Sequence, residues 1–145
     1  MSPVWRSLLD EAVEDVRFFA PADPEEIAAA ERALGHPLPE DLVSLLRETN
    51  GIGDEYDDGS YVWPLDRVVE ENLHLRHDDL LRTLYMPFDP LLFFADAGNG
   101  DLFAFVLRDG RRDIFVWDHE TDSRSMLASS LERFLLGWCT GKLDV

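Results

Sequence analysis

Three short segments hold the side chains best suited to chemistry. Asp54-Glu55-Tyr56-Asp57-Asp58 sets four carboxylates in five residues around a phenol. Like charges packed so densely repel one another, a cost that a purely structural loop avoids. Such a cluster suits the arginines or lysines of a partner, with the tyrosine ring as anchor area, although a solvated loop has the same composition. Asp96-Ala97-Gly98-Asn99-Gly100-Asp101 offers oxygen ligands and glycines that would suit a hard cation. Its spacing is not that of an EF-hand, because glycines stand at the third and fifth positions and no glutamate at the twelfth. A hairpin turn is the favoured reading, and its glycines still let a partner's backbone approach. Asp118, Glu120 and Asp122 crowd a second turn.

Other chemistry finds little support. His74 and His77 stand three apart on an expected helix beside Asp78-Asp79, but no second ligand cluster accompanies them, so a surface helix face is expected and no metal. Cys139 follows Trp138 in an apolar helix without a nucleophile signature and reads as core. With 30 acidic residues, a carboxylate pair spaced for hydrolysis carries no weight. Walker loops, dinucleotide fingerprints, zinc-finger spacings and basic patches with interleaved aromatics are all missing. The expectation is no catalytic residue and no cofactor.

Composition narrows the setting. At 145 residues, 46% hydrophobic and 30% charged, the chain suits a single globular domain over 1–145, able to bury roughly 70% of its unfolded surface. The formal charge of −17 disfavours nucleic acid and anionic membrane, and would steer a basic partner in a salt-sensitive way. Solubility alone would also account for it. A lone cysteine and a start, Met1-Ser2-Pro3-Val4-Trp5-Arg6, without a basic and then apolar run place the expected address in the cytoplasm.

The elements that must position these residues are legible from period and punctuation. Val4 to Val16 follows helical spacing until Phe18-Phe19-Ala20-Pro21 breaks it. Asp23-Pro24-Glu25-Glu26 is a capping box with proline in the first turn, Gly35 a left-handed stop, and Ile27 and Leu34 an apolar stripe that contains Glu31. If partly buried, Glu31 must accept hydrogen bonds or pair with an arginine; fastening the helix to a neighbouring backbone is the expected role. Pro39 opens a second helix through Leu42, Val43, Leu45 and Leu46, expected to end at Asn50-Gly51. Ser60 to Trp63 reads as a strand and Pro64 as the start of a helix reaching Arg76 or beyond. The period then changes. Leu91–Ala95, Leu102–Leu107, Ile114–Trp117 and Ser125–Leu127 are strands joined by turns, and Ser129 or Ser130 caps a last helix. The expected fold class is α+β: N-terminal helices, an antiparallel meander of four or more strands and a C-terminal helix.

These segments resemble the SUKH superfamily, named after the fungal Smi/Knr cell-wall regulators and known in bacteria chiefly as toxin immunity proteins. The likeness begins in Ile27, Glu31, Leu34-Gly35, Leu38-Pro39, Leu45-Leu46 and Asn50-Gly51. It continues in order through Trp63-Pro64-Leu65, Leu92 to Asp101, Val116 to Thr121 and Ala128 to Leu135. A longer charged connector between Asn72 and Tyr85 and the spelling of the Asp96–Asn99 turn depart from it. The resemblance implies an immunity protein that binds a cognate polymorphic toxin, such as a nuclease. The acidic surface independently suits a basic partner. The residues expected to meet it are Asp54, Glu55, Tyr56, Asp57, Asp58, Asp96, Asn99, Asp101, Asp118, Glu120 and Asp122. An intracellular scaffold or regulatory module is the alternative, and an enzyme or small-ligand receptor using the sheet's open face a third; oligomeric state stays open.

Overall fold

The computed structural model describes residues 5–12, 16–53, 61–88, 90–98, 100–108 and 110–140. Asp54 to Asp58 and Asn99 therefore lie outside the described residues. In chain order the elements are α1 (Trp5–Ala12), β1 (Arg17–Phe18), α2 (Pro24–Leu34), α3 (Glu40–Leu46), β2 (Ile52–Gly53), α4 (Leu65–His77), α5 (Asp79–Leu84), β3 (Leu91–Asp96), β4 (Leu102–Val106), β5 (Ile114–Trp117), β6 (Arg124–Ala128) and α6 (Leu131–Cys139). The expected α+β order of helices, meander and closing helix is the observed one.

The helix pair forms as its residues dictate. Glu26 Oε1 accepts from the Asp23 N–H at 3.1 Å, and Gly35 stops α2 at φ 72°. Glu31 is half-buried, and its carboxylate accepts from the Leu38 N–H at 2.7 Å, fixing the chain's path into α3. Asn50-Gly51 does not end α3, which stops at Leu46. Instead Asn50 Oδ1 accepts from the Leu65 N–H at 2.8 Å, capping α4 from a distance, and Gly51 lies against the Val62–Pro64 backbone.

Two further expectations need correction. The chain after α1 does not merely break: Arg17 and Phe18 pair antiparallel with Gly53 and Ile52, because Phe18 and Ile52 both have apolar sides to cover. Of the strand expected at Ser60 to Trp63, the described residues Tyr61 to Trp63 form a single bridge, Ile52 with Val62, and the Trp63 N–H turns away to Phe94 O. The expected helix reaching Arg76 or beyond is observed, and the charged connector is largely helical. It extends α4 to His77 and forms α5, whose start is capped by Asp78 accepting from the Leu81 N–H at 3.0 Å.

β3 to β6 form an antiparallel sheet in sequential order. On one face Phe94, Phe103 and Phe105 pack with Phe134 and Trp138 of α6, the Phe103 and Phe134 rings 4.7 Å apart. On the other, Tyr85, Phe88, Phe93 and Trp117 form a second aromatic cluster, with Phe88 and Trp117 edge to face at 5.1 Å. Both edges of the sheet are blunted. Asn72, 1% exposed, exchanges hydrogen bonds with Phe93 N and O at 2.9 and 2.8 Å, so an amide side chain stands where a neighbouring strand would. On β6 the register slips between Ile114 and Phe115, which leaves Leu127 as a bulge.

Candidate functional site

Because the sheet is a meander, the β3–β4 and β5–β6 turns come to the same end of it. Asp96, Asp101, Asp118, Glu120 and Asp122 are thereby gathered into one acidic rim. The two segments joined to that end are the Trp63–Arg67 entry to α4 and the Tyr85–Met86 exit from α5. The described ends of the Asp54–Asp58 segment, Gly53 and Tyr61, flank the Ile52–Val62 bridge, and Trp63 follows directly. How that segment and Asn99 are placed lies outside the described residues.

Each acid of the rim has hydrogen-bond partners, Glu120 excepted. Asp96 Oδ2 accepts from the Trp63 indole N–H at 2.8 Å and from Arg67 at 3.2 Å, while Oδ1 accepts from the Gly98 N–H at 3.0 Å. The Arg67 guanidinium also lies over the Trp63 ring, 4.6 Å from its centroid. Asp118 Oδ1 accepts from the Glu120 N–H at 2.9 Å, folding its own turn. Asp122, at φ 58°, accepts from the Trp117 indole at 2.7 Å, Arg124 at 3.0 Å and the Met86 N–H at 2.9 Å. Burial opposes ionisation of Asp122, but these donors outweigh it and hold the carboxyl below the usual range. Glu120 is exposed, and its carboxylate makes no hydrogen bond or salt bridge among the described residues.

Asp101 and His119 tie the two turns together. Asp101 Oδ1 stands 2.6 Å from His119 Nδ1 and 3.2 Å from the His119 N–H, and Tyr85 donates its hydroxyl to His119 O at 3.2 Å. The ring lies against Gly100, where a Cβ would come within 2.9 Å of it. Asp101 raises the His119 pKa by hydrogen bonding to the ring, burial works against this, and the nearby Glu120 and Asp118 charges add to the rise. Ligand atoms of Asp101, Asp118 and His119 fall within 4.8 Å of one another, the arrangement among the described residues that a metal would use. Oδ1 of each of its two carboxylates already takes part in the hydrogen bonds just given, those of Asp101 tying the two turns together. No nucleophile is bonded to the His119 ring among the described residues.

Sequence reasoning missed the residues that hold the acids, Trp63, Arg67, Trp117 and Arg124, and Tyr85, which holds the His119 carbonyl. The one available signal was the pairing of tryptophans with arginines at short spacing, Trp63 with Arg67 along a helix turn and Trp117 with Arg124 across a hairpin. His74 and His77 are exposed on α4, as expected. Cys139 is a partly buried thiol whose pKa burial pushes up to about 12.

No helix among the described residues is long and apolar enough to cross a membrane. No curated protein matches the chain. A match to the SMI1 / KNR4 family (SUKH-1) spans residues 21–137, from just before the capping box of α2 into α6. The Glu31 tie, the Asn50-Gly51 junction and the four-stranded meander all fall inside that span, and the chain belongs to the SMI1 / KNR4 family (SUKH-1).

Proposed function

We propose that the protein is an immunity protein that binds and neutralises a cognate polymorphic toxin, a nuclease or another nucleic-acid-directed enzyme, and has no catalytic role of its own. The observation that carries the reading is membership of the SUKH-1 family in a chain of formal charge −17. An enzyme that acts on nucleic acid presents a basic surface to phosphates, and a fixed acidic surface competes for that same face. The occluding surface would be the segment Asp54, Glu55, Tyr56, Asp57 and Asp58 together with the rim of Asp96, Asn99, Asp101, Asp118, Glu120 and Asp122. Carboxylates already oriented by Trp63, Arg67, Trp117 and Arg124 lose little freedom when a partner's arginines arrive.

Capture from the native host with the tagged protein, followed by identification of the bound chain, tests the reading. The expected partner is a basic, nucleic-acid-directed toxin encoded beside this gene. Lysine replacement of Asp54, Glu55, Asp57 and Asp58 together should weaken binding by about tenfold or more at low salt and flatten its salt dependence. An unchanged affinity and salt dependence would overturn the acidic-surface mechanism. A captured partner without toxin activity would favour the scaffold alternative.

A further inference from the structure

At the end of the sheet opposite the acidic rim lies a cleft that the proposed function does not use. It measures about 530 Å³, inside the roughly 300–1,000 Å³ typical of small-molecule sites. The loop between α2 and α3 forms one wall, and the end of β4 with the turn into β5 forms the other. Pro37, Pro39, Val106 and Leu107 give it apolar sides. Its mouth carries three arginines within five residues, Arg108, Arg111 and Arg112, in a chain whose charge is otherwise strongly negative.

Two of these arginines are already oriented. Arg112 donates through Nε and Nη2 to the Asp41 carboxylate, both at 3.1 Å, and so links the two walls across 71 positions of sequence. Arg111 grips Asp113 in the same bidentate way, at 2.9 and 2.5 Å. In each pair one edge of the guanidinium is spent and the Nη1 edge is left. Asp41 and Asp113 offset two of the positive charges. The Arg108 guanidinium is exposed and has no hydrogen bond or ion pair among the described residues, so the mouth offers one unpaired cation beside the free edges of two others. Glu40, also at the mouth, disfavours a ligand with several negative charges.

We propose that this cleft binds a small organic anion: an apolar ring or chain bearing one carboxylate, sulfonate or phosphate group. The apolar body would lie against Pro37, Pro39, Val106 and Leu107, with the anionic group at Arg108. The inference needs only this protein and a probe, so it stands or falls apart from the toxin reading. The probe is the aromatic sulfonate 8-anilinonaphthalene-1-sulfonate, titrated by fluorescence, with benzoate, phenyl phosphate and neutral benzyl alcohol as competitors. The expected result is saturable binding, displaced by benzoate or phenyl phosphate and not by benzyl alcohol. Arg108→Glu should weaken it by about tenfold or more, because it puts a charge of the wrong sign at the anion's position. Arg108 is exposed, so the variant is expected to fold, and circular dichroism verifies this. Elsewhere among the described residues, exposed apolar side chains that could take the dye include Leu80, Leu84, Met86 and Met126, with Leu84 and Met126 each 61% exposed; Leu84→Asp combined with Met126→Asp should leave binding unchanged. Non-saturable binding, indifference to Arg108→Glu, or loss in the Leu84/Met126 double variant would each overturn the proposal. Whether benzoate or phenyl phosphate competes better tells carboxylate from phosphate.

Discussion

Replacing Asn72 should unfasten the sheet from the helices. The side chain is 1% exposed, and its amide accepts from Phe93 N and donates to Phe93 O and Val68 O. Phe93 is fully buried, so Asn72→Leu, which roughly keeps the volume, leaves one main-chain donor and one acceptor without partner or water. At about 1–3 kcal/mol for each orphaned group, the loss comes to about 2–6 kcal/mol. That is a large share of the ~5–15 kcal/mol expected for the whole domain. A melting temperature lower by about 10–15 °C should accompany a loss near the middle of that range. Urea unfolding followed by far-ultraviolet circular dichroism measures it. Asn72→Asp separates hydrogen bonding from packing. A neutral aspartic acid can still accept from Phe93 N and donate to Phe93 O, whereas the carboxylate can only accept. Burial raises the folded-state pKa of such a group, so the variant's stability should approach the parent's at low pH and fall away as pH rises through that value. A loss below about 1 kcal/mol for Asn72→Leu, or a pH-independent Asn72→Asp, would refute the account.

Gly51→Ala should cost about 2–4 kcal/mol, since φ is 94° and a Cβ would come 2.9 Å from Pro64 N. Gly35→Ala, at φ 72° with nothing within 4 Å of a Cβ, should cost only about 1 kcal/mol in the same urea assay. The His119 pKa is raised in the folded state, so the tie to Asp101 contributes stability that is fully present below the unfolded pKa and is lost as pH rises through the folded value. Ring proton resonances titrated by nuclear magnetic resonance should show a midpoint above that of a free histidine, and Asp101→Asn should bring it down. With its thiol pushed up to about 12, Cys139 should react with a disulfide reagent at pH 8 far more slowly in the native protein than in urea.

Local chemistry was legible in the sequence wherever local chemistry decides structure. The Asp23–Glu26 box, the Gly35 stop, the hairpin pairing of β3 with β4 and the Ser130 cap are each specified by residues a few positions apart, and each is observed. What stayed hidden depends on partners far along the chain. Asn50-Gly51 reads as a helix end by composition, yet its amide serves α4 and its missing Cβ serves Pro64. Asn72 reads as one polar position in an amphipathic helix, and nothing nearby reveals that Phe93 needs an edge partner. α5 was hard to see because its six residues, with Leu80, Leu81 and Leu84 as the apolar ones, are too few for a helical period to stand out. The acids of the rim were legible as acids but not as hydrogen-bond acceptors of two indoles.

This division bears on how the acidic surface should be probed. Reversing the charge of Asp96 or Asp122 would orphan the indole of Trp63 or Trp117 and release Arg67 or Arg124, so a lost interaction with a partner could simply report a damaged turn. Asp101→Lys would do the same through His119. Glu120 is different: it is exposed, its carboxylate makes no hydrogen bond or salt bridge among the described residues, and it stands between Asp118 and Asp122. Glu120→Lys should therefore leave the urea midpoint unchanged within about 0.5 kcal/mol while altering the local field in which a basic partner would dock. If it weakens binding as much as the lysine replacements at Asp54, Glu55, Asp57 and Asp58, the rim and that segment act as one surface. If affinity does not change, the rim's acids are there for the fold, and the binding role rests on the segment between Gly53 and Tyr61 alone.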